Sequence, residues 1–202
     1  MYLYKYEKEL YSKNINYIGG VDEVGRGPLV GPVVAACVVL PNDFKLEGLT
    51  DSKKLSEKKR DIFYSYIKEH ALGIGIGIID EKEIDRINIL EASKKAMIKA
   101  VNNVKCTLEY ALVDGNMKIN IDIPYLSIIK GDSKSISIAA ASVIAKVTRD
   151  KMMYDFDKRY PEYEFKNHKG YPTKRHIELL KKYGVLDEYR KSYKPVKEII
   201  NV

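Results

Sequence analysis

Gly19-Gly20-Val21-Asp22-Glu23-Val24-Gly25-Arg26-Gly27-Pro28 packs two adjacent acids, an arginine and four glycines into ten residues. It follows an apolar lead-in where a core strand should begin. An ionised carboxylate at the end of a buried strand costs several kcal/mol unless a cation or hydrogen bonds compensate it. These residues therefore ask for a metal ion or a basic partner. Strand geometry sends neighbouring side chains to opposite faces, so either the strand ends or bulges at Asp22 and Glu23, or one of them contributes through its carbonyl. Pairing of Glu23 with Arg26 in a turn is the structural alternative.

Two further acids stand where a site could use them. Asp114 closes the apolar run Tyr110-Ala111-Leu112-Val113 and precedes Gly115. Asp-Gly between apolar runs is a turn signal, while the carboxyl ends of strands in open α/β sheets are where ligands bind; both readings stand. Asp132, in Lys130-Gly131-Asp132-Ser133-Lys134-Ser135, is either an N-cap or a cation ligand whose ionised form the helix dipole favours. Ser133 and Ser135 serve equally well as caps. Asp150 reads as structural, paired with neighbouring bases.

Other chemistries fail on their residues. The stretch from Gly20 to Arg26 imitates a phosphate-binding loop, but Arg stands for its lysine, Gly27 for its Ser/Thr, and two acids sit where anions would bind. His70, His168 and His176 lack metal spacing and any serine elbow; His168, by its neighbours, is a candidate substrate contact, and the other two read as surface residues. Cys37 and Cys106 give no zinc spacing and read as buried reduced thiols. The segment Lys166 to Arg175 sets Tyr171 in a basic loop ahead of a helix, suited to stacking on a sugar or base between phosphate contacts or simply to anchoring a solvated loop. Asp51-Ser52-Lys53-Lys54-Leu55-Ser56 either holds phosphates or starts a helix.

These residues must be positioned by the rest of the 202-residue chain, long enough for one sizeable core. Its 35 basic and 28 acidic side chains leave a net charge of +7, which favours a polyanionic partner. The longest apolar stretch, Val33 to Leu40, lies between Pro32 and Pro41 and is far short of the ~20 residues a spanning helix needs. The charged first residues exclude a signal-peptide core, and a cytoplasmic protein is expected. Spacing predicts a short N-terminal helix within residues 2–13, strands at 17–24, 33–40, 72–79, 109–114 and 125–129, and helices at 52–70, 81–101 and 135–154. Gly73, Gly75 and Gly77 leave one strand face bare, so that another backbone can approach closely. The pattern is a mixed sheet with helical cover.

Taken together, Gly20 to Val33, Asp51-Ser52-Lys53-Lys54-Leu55, Val113-Asp114-Gly115, Gly131-Asp132 with Ala139 to Asp150, and His168-Lys169-Gly170-Tyr171-Pro172-Thr173 resemble, in order, the motifs of the bacterial type 2 ribonuclease H family, ribonuclease HII. The resemblance implies an α/β, ribonuclease-H-like fold: a five-stranded mixed sheet flanked by helices, with extra C-terminal helices. Residues 1–202 would form one catalytic domain, with 1–16 as a helical extension and about 173–202 as a C-terminal helical segment. It implies that Asp22, Glu23, Asp114 and Asp132 gather as catalytic metal ligands for two divalent cations, Mg²⁺ or Mn²⁺. Gly25, Arg26 and Gly27 would read a ribonucleotide through its 2′-hydroxyl and adjacent phosphate, with Tyr171 against the neighbouring deoxyribose; Lys53, by the residues of its own motif, is a candidate phosphate contact.

The implied activity is hydrolysis of the RNA strand of RNA–DNA hybrids and incision 5′ of ribonucleotides embedded in duplex DNA. Water attacks in line, leaving 3′-hydroxyl and 5′-phosphate ends. Arg26, where sister type 3 enzymes carry Lys, and a short lead of about 16 residues favour type 2. Pro195 to Val202 shows no glutamine-plus-double-aromatic clamp motif, and nothing requires more than a monomer. A non-catalytic nucleic-acid-binding module and another nuclease on the same fold are the alternatives.

Overall fold

Val33–Val39, a run of Val, Ala and Cys with no charged side chain, forms strand β2, every residue of which is buried. Such a composition belongs to a strand covered on both faces. In the computed structural model, which describes residues 2–200, β2 lies between β1 (Ile18–Val24) and β3 (Gly73–Ile79), antiparallel to both. Beyond β1, β4 (Tyr110–Asp114) and β5 (Tyr125–Ile128) continue the sheet in parallel, giving the order β3-β2-β1-β4-β5. Met1, Asn201 and Val202, the ends of the expected extension and clamp-free tail, lie outside the described residues.

The helices are α1 (Lys5–Tyr11), α2 (Glu57–His70), α3 (Glu81–Ile87), α4 (Ile89–Asn102), α5 (Ile136–Arg159), α6 (Phe165–His168), α7 (Lys174–Tyr183) and α8 (Lys194–Ile200). The two-residue period of β2 divides the core. Val34, Ala36 and Val38 pack with Phe63 and Ile67 of α2 and the alanines of α5. Val33, Ala35 and Cys37 pack with Ala92, Ala96, Met97 and Ala100 of α4. A third cluster joins Leu29 and Val30 to Met153, Phe165, Leu180 and Tyr189. Among the described residues, no helix is long and apolar enough to cross a membrane.

Both helical layers are drawn in by missing side chains. A Cβ on Gly77 would sit 1.9 Å from the Ala96 carbonyl oxygen of α4, and one on Gly20 would sit 1.9 Å from the Ser137 carbonyl carbon of α5. The bare glycine face of β3 is thus occupied by a backbone, as its pattern predicts.

The helix boundaries differ from expectation at three places. The expected helix 52–70 is a 3-10 turn, Ser52–Lys54, followed by α2, because Leu55 adopts extended backbone and buries its side chain while Ser56 caps α2 through the Lys59 amide. The expected helix 81–101 breaks at Asn88, where φ is +68° and the side-chain oxygen accepts from the Leu90 and Glu91 amides. The small-residue helix α5 runs on to Arg159. The C-terminal segment is not helical throughout: between α7 and α8 the chain leaves the helix and bridges Tyr189 to Val30. Of the two free cysteines, Cys37 is buried and Cys106 only partly so.

Candidate active site

Strand β1 carries Asp22 and Glu23 in unbroken register, Asp22 opposite Ala36, Glu23 opposite Ala35 and Val24 opposite Val34. The strand neither ends nor bulges there, which corrects that expectation. Asp22 shares the face of Gly20 and Val24, which meets α5; Glu23 shares that of Val21, which meets α4. Asp22 is 8% exposed, and its Oδ1 accepts the Glu23 amide at 2.7 Å. Glu23, near the strand end, lines a cavity of about 260 Å³ with Gly25, Arg26, Gly27, Lys53 and Tyr171. Its Oε1 lies 3.7 Å from Arg26 Nη1, so the turn pairing exists alongside the cavity position.

Asp114 is the last residue of β4. The Asp-Gly reading is met in part: Gly115 takes φ +86°, but the Asp114 side chain turns to the neighbouring loop, its Oδ1 accepting the Gly131 amide at 2.6 Å. That bond fixes the 3-10 turn Gly131–Ser133 that carries Asp132. Ser135, through the Ile138 amide at 3.2 Å, is the cap of α5, and the cap alternative for Asp132 is thereby removed.

Electrostatics tie the four acids together. Burial, and then the charges of Glu23, Asp114 and Asp132, push the Asp22 carboxyl well above the usual range against the single amide bond. Burial lifts Glu23 to about 7, with Arg26 opposing and Asp114 adding. Asp132 is raised by burial, Asp114 and Asp51, with Lys53 opposing. Burial disfavours the Lys53 ammonium, yet Asp22, Asp51 and Asp132 more than offset this and raise it. The position of Lys53 follows from its turn: Asp51 accepts the Lys53 amide at 2.9 Å, and the Ser52 hydroxyl accepts from Ser142 of α5 at 2.7 Å.

Among the described residues, no three Asp, Glu, His or Cys side chains converge closely enough to hold a metal ion by themselves. The donor set is nonetheless all oxygen, and it carries more negative charge than Lys53 and Arg26 balance. Magnesium-type ions take one or two carboxylates and complete their shell with water and substrate phosphate, which is the kind of ligand set these residues offer.

Tyr171 places its ring beside Gly27, where an added Cβ would lie 3.5 Å from it. Two histidines support it from beneath. His176 is not a surface residue, as expected, but fully buried; its Nδ1 meets the Tyr171 carbonyl and its Nε2 the Tyr189 hydroxyl, each at 2.8 Å. His168 is buried too, stacked on His176 at 4.0 Å, with Nε2 at 2.8 Å from the Tyr163 carbonyl. Its role is therefore to hold the loop. His70 is exposed, and Asp150 pairs with Lys146 at 2.7 Å, both as expected.

Two contributors escaped the sequence reading. Asp51 stood beside Lys53 in a motif read for its lysines and hydroxyls, so a signal existed. Arg190, fully buried, carried none, because a single arginine in a charged tail has no distinguishing spacing.

A five-stranded mixed sheet in this order, with helices on both faces and acids at the ends of β1 and β4, is a ribonuclease-H-like fold with a candidate nuclease site. The family model described as Ribonuclease HII matches residues 19–196, and the chain belongs to the ribonuclease HII family. It is 59% identical to Ribonuclease HII of Bacillus mycoides over 97% of this chain and 76% of that relative. The crystal structure of ribonuclease H2 from Pyrococcus horikoshii superposes with a TM-score of 0.80 at 25% identity, covering 91% of this chain and 97% of that one. Bst ribonuclease HIII, solved in complex with Mn²⁺, has a TM-score of 0.70 at 18% identity, over 93% of this chain and 70% of that one. Family membership makes the chain a hydrolytic endoribonuclease of the ribonuclease H type.

Proposed function

We propose that the chain, acting as one catalytic domain, hydrolyses the RNA strand of RNA–DNA hybrids and incises duplex DNA 5′ of an embedded ribonucleotide, leaving 3′-hydroxyl and 5′-phosphate ends. The observation that carries this reading is Asp22: a carboxylate buried in β1 two residues before its end, with one amide as hydrogen-bond partner and the charges of three acids bearing on it. A fold retains such a group when a cation arrives to neutralise it. Asp22, Glu23, Asp114 and Asp132 would hold divalent cations, Mg²⁺ or Mn²⁺ by the hardness of their oxygen donors; the Mn²⁺ complex of the ribonuclease HIII relative supports that choice. When bound, such ions supply charge neutralisation, activation of a water for in-line attack on phosphorus and stabilisation of the leaving 3′-oxygen.

The chain's own residues supply selection and orientation. Only the 2′-hydroxyl separates RNA from DNA at one position, so the reader must come close to the sugar. Gly25 and Gly27 present main chain without side-chain bulk, Arg26 grips phosphate, and Tyr171, beside Gly27, packs on the neighbouring deoxyribose. Lys53, between the acids and the cavity, binds phosphate. The test is a gel assay of a duplex with one ribonucleotide, an RNA–DNA hybrid and an all-DNA duplex, with Mg²⁺ or chelator. Cation-dependent nicking of the first two, sparing all-DNA, is expected. Binding without cutting would replace the reading by a nucleic-acid-binding module, and cutting of all-DNA by a different nuclease.

A further inference from the structure

The loop from Gly25 to Pro32 rests on two buried guanidinium groups, Arg149 and Arg190, neither of which pairs with a carboxylate among the described residues. Arg149 of α5 donates to the carbonyls of Pro32, Lys169 and Val30 at 3.0, 3.0 and 3.1 Å. Arg190, between α7 and α8, donates through Nε to the Gly31 carbonyl at 2.9 Å, through Nη2 to Gly25 at 2.6 Å and through Nη1 to Arg26 at 3.1 Å. Nη1 also donates to the Tyr193 hydroxyl at 3.0 Å, and that hydroxyl donates to the same Arg26 carbonyl at 2.7 Å. The surrounding backbone is locked as well, since the Arg190 amide reaches the Leu29 carbonyl and the Gly31 amide the Glu188 carbonyl, each at 2.8 Å.

The direction of these bonds matters. A trans peptide sends its C=O and N–H to opposite sides, and there is no cis peptide among the described residues. With the Gly25 and Arg26 carbonyls tied to Arg190, the amides of Arg26 and Gly27 point away from it, and the cavity that Gly25, Arg26 and Gly27 line with Lys53 and Tyr171 does not include Arg190 in its lining. Neither amide donates to an acceptor among the described residues. Burying a guanidinium on neutral acceptors alone is costly, and a lysine could not span three carbonyls with fixed angles.

We infer that Arg190, completed by Tyr193, is a positioning residue for ribonucleotide discrimination: its fork fixes the Gly25 and Arg26 carbonyls and so aims the two following amides at the sugar of the substrate. The inference rests on the proposed role of the Gly25–Gly27 loop. It makes the segment between α7 and α8 part of substrate selection although it touches no substrate.

The test compares wild type, Tyr193→Phe and Arg190→Lys for affinity, without divalent cation, toward a duplex with one ribonucleotide and its all-DNA counterpart, alongside melting temperature and cleavage with Mg²⁺. Tyr193→Phe is expected to lose about fivefold of the ribonucleotide-over-DNA preference, the size of one neutral hydrogen bond, and Arg190→Lys about tenfold or more, with all-DNA affinity unchanged. Tyr193→Phe should keep its melting temperature, which separates aim from fold. If both variants retain the wild-type preference, or if preference, DNA affinity and melting temperature fall together, the positioning role is overturned. A wild type that shows no ribonucleotide preference and no cleavage overturns the functional reading beneath it, a distinct result.

Discussion

At Asp22 the main chain supplies one hydrogen bond to a carboxylate on which the charges of three other acids bear. Its folded pKa is raised, so the folded protein holds that proton more tightly than the unfolded chain does. The stability this gives is complete below the ordinary carboxylate range and is lost as pH rises; for Glu23 the window runs from 4.5 to about 7. In chelator, Asp22→Asn should therefore melt at or above wild type at pH 8, with the difference shrinking toward pH 5, while cleavage with Mg²⁺ is abolished. Scanning fluorimetry across pH reads the first and a gel the second. Asp114 behaves differently because its Oδ1 holds the Gly131 amide. Asp114→Asn keeps an acceptor there and should lose turnover but not metal-free stability, whereas Asp114→Ala should lose both, the stability by about 1–3 kcal/mol for the orphaned amide.

The elements bring these acids into range by close packing. α4 lies on β3 and α5 on β1 at distances only glycine permits. Gly77→Ala forces a methyl against the Ala96 carbonyl, a backbone atom that cannot swing aside, and urea unfolding should register a loss of about 1–3 kcal/mol. Gly115→Ala meets nothing within 4 Å, yet φ there is +86°. Its cost of about 1–2 kcal/mol comes from backbone conformation alone, and it should fall on activity too, since the turn sets the exit from Asp114. A Gly77 variant as stable as wild type would mean that α4 does not need this contact.

Across the whole molecule two titrating clusters pull stability in opposite directions. Burial, and then the charge of His168 stacked on it, depress His176 to about 4, so its unfolded form binds protons more readily. Stability from the neutral pair is fully present above about 6.5 and is lost as pH falls toward 4, on the order of 3 kcal/mol for His176. The acid limb should stand out in Asp22→Asn, where the opposing carboxylate is gone, and imidazole proton resonances should place the His176 midpoint near 4. A midpoint near 6.5 would show that the stack opens to water. Because Tyr171 rests on His176, the same acid window should weaken substrate binding.

What was legible before folding was local or ordered along the chain. The strands show in their apolar runs, the bare face of β3 in its alternating glycines, and the family in its succession of motifs, which also singles out the four acids as candidates. Residue types and spacing carry that much because strand period, turn chemistry and motif order are properties of neighbouring residues. The tertiary structure alone decided that β1 stays regular through Asp22 and Glu23, that Asp114 leaves its turn to hold the Gly131 loop, that His176 is buried beneath Tyr171, and that Arg190 reaches back to the Gly25 and Arg26 carbonyls. Each of these depends on which distant surfaces exclude water together, and a linear pattern does not encode the partner of a lone charged side chain.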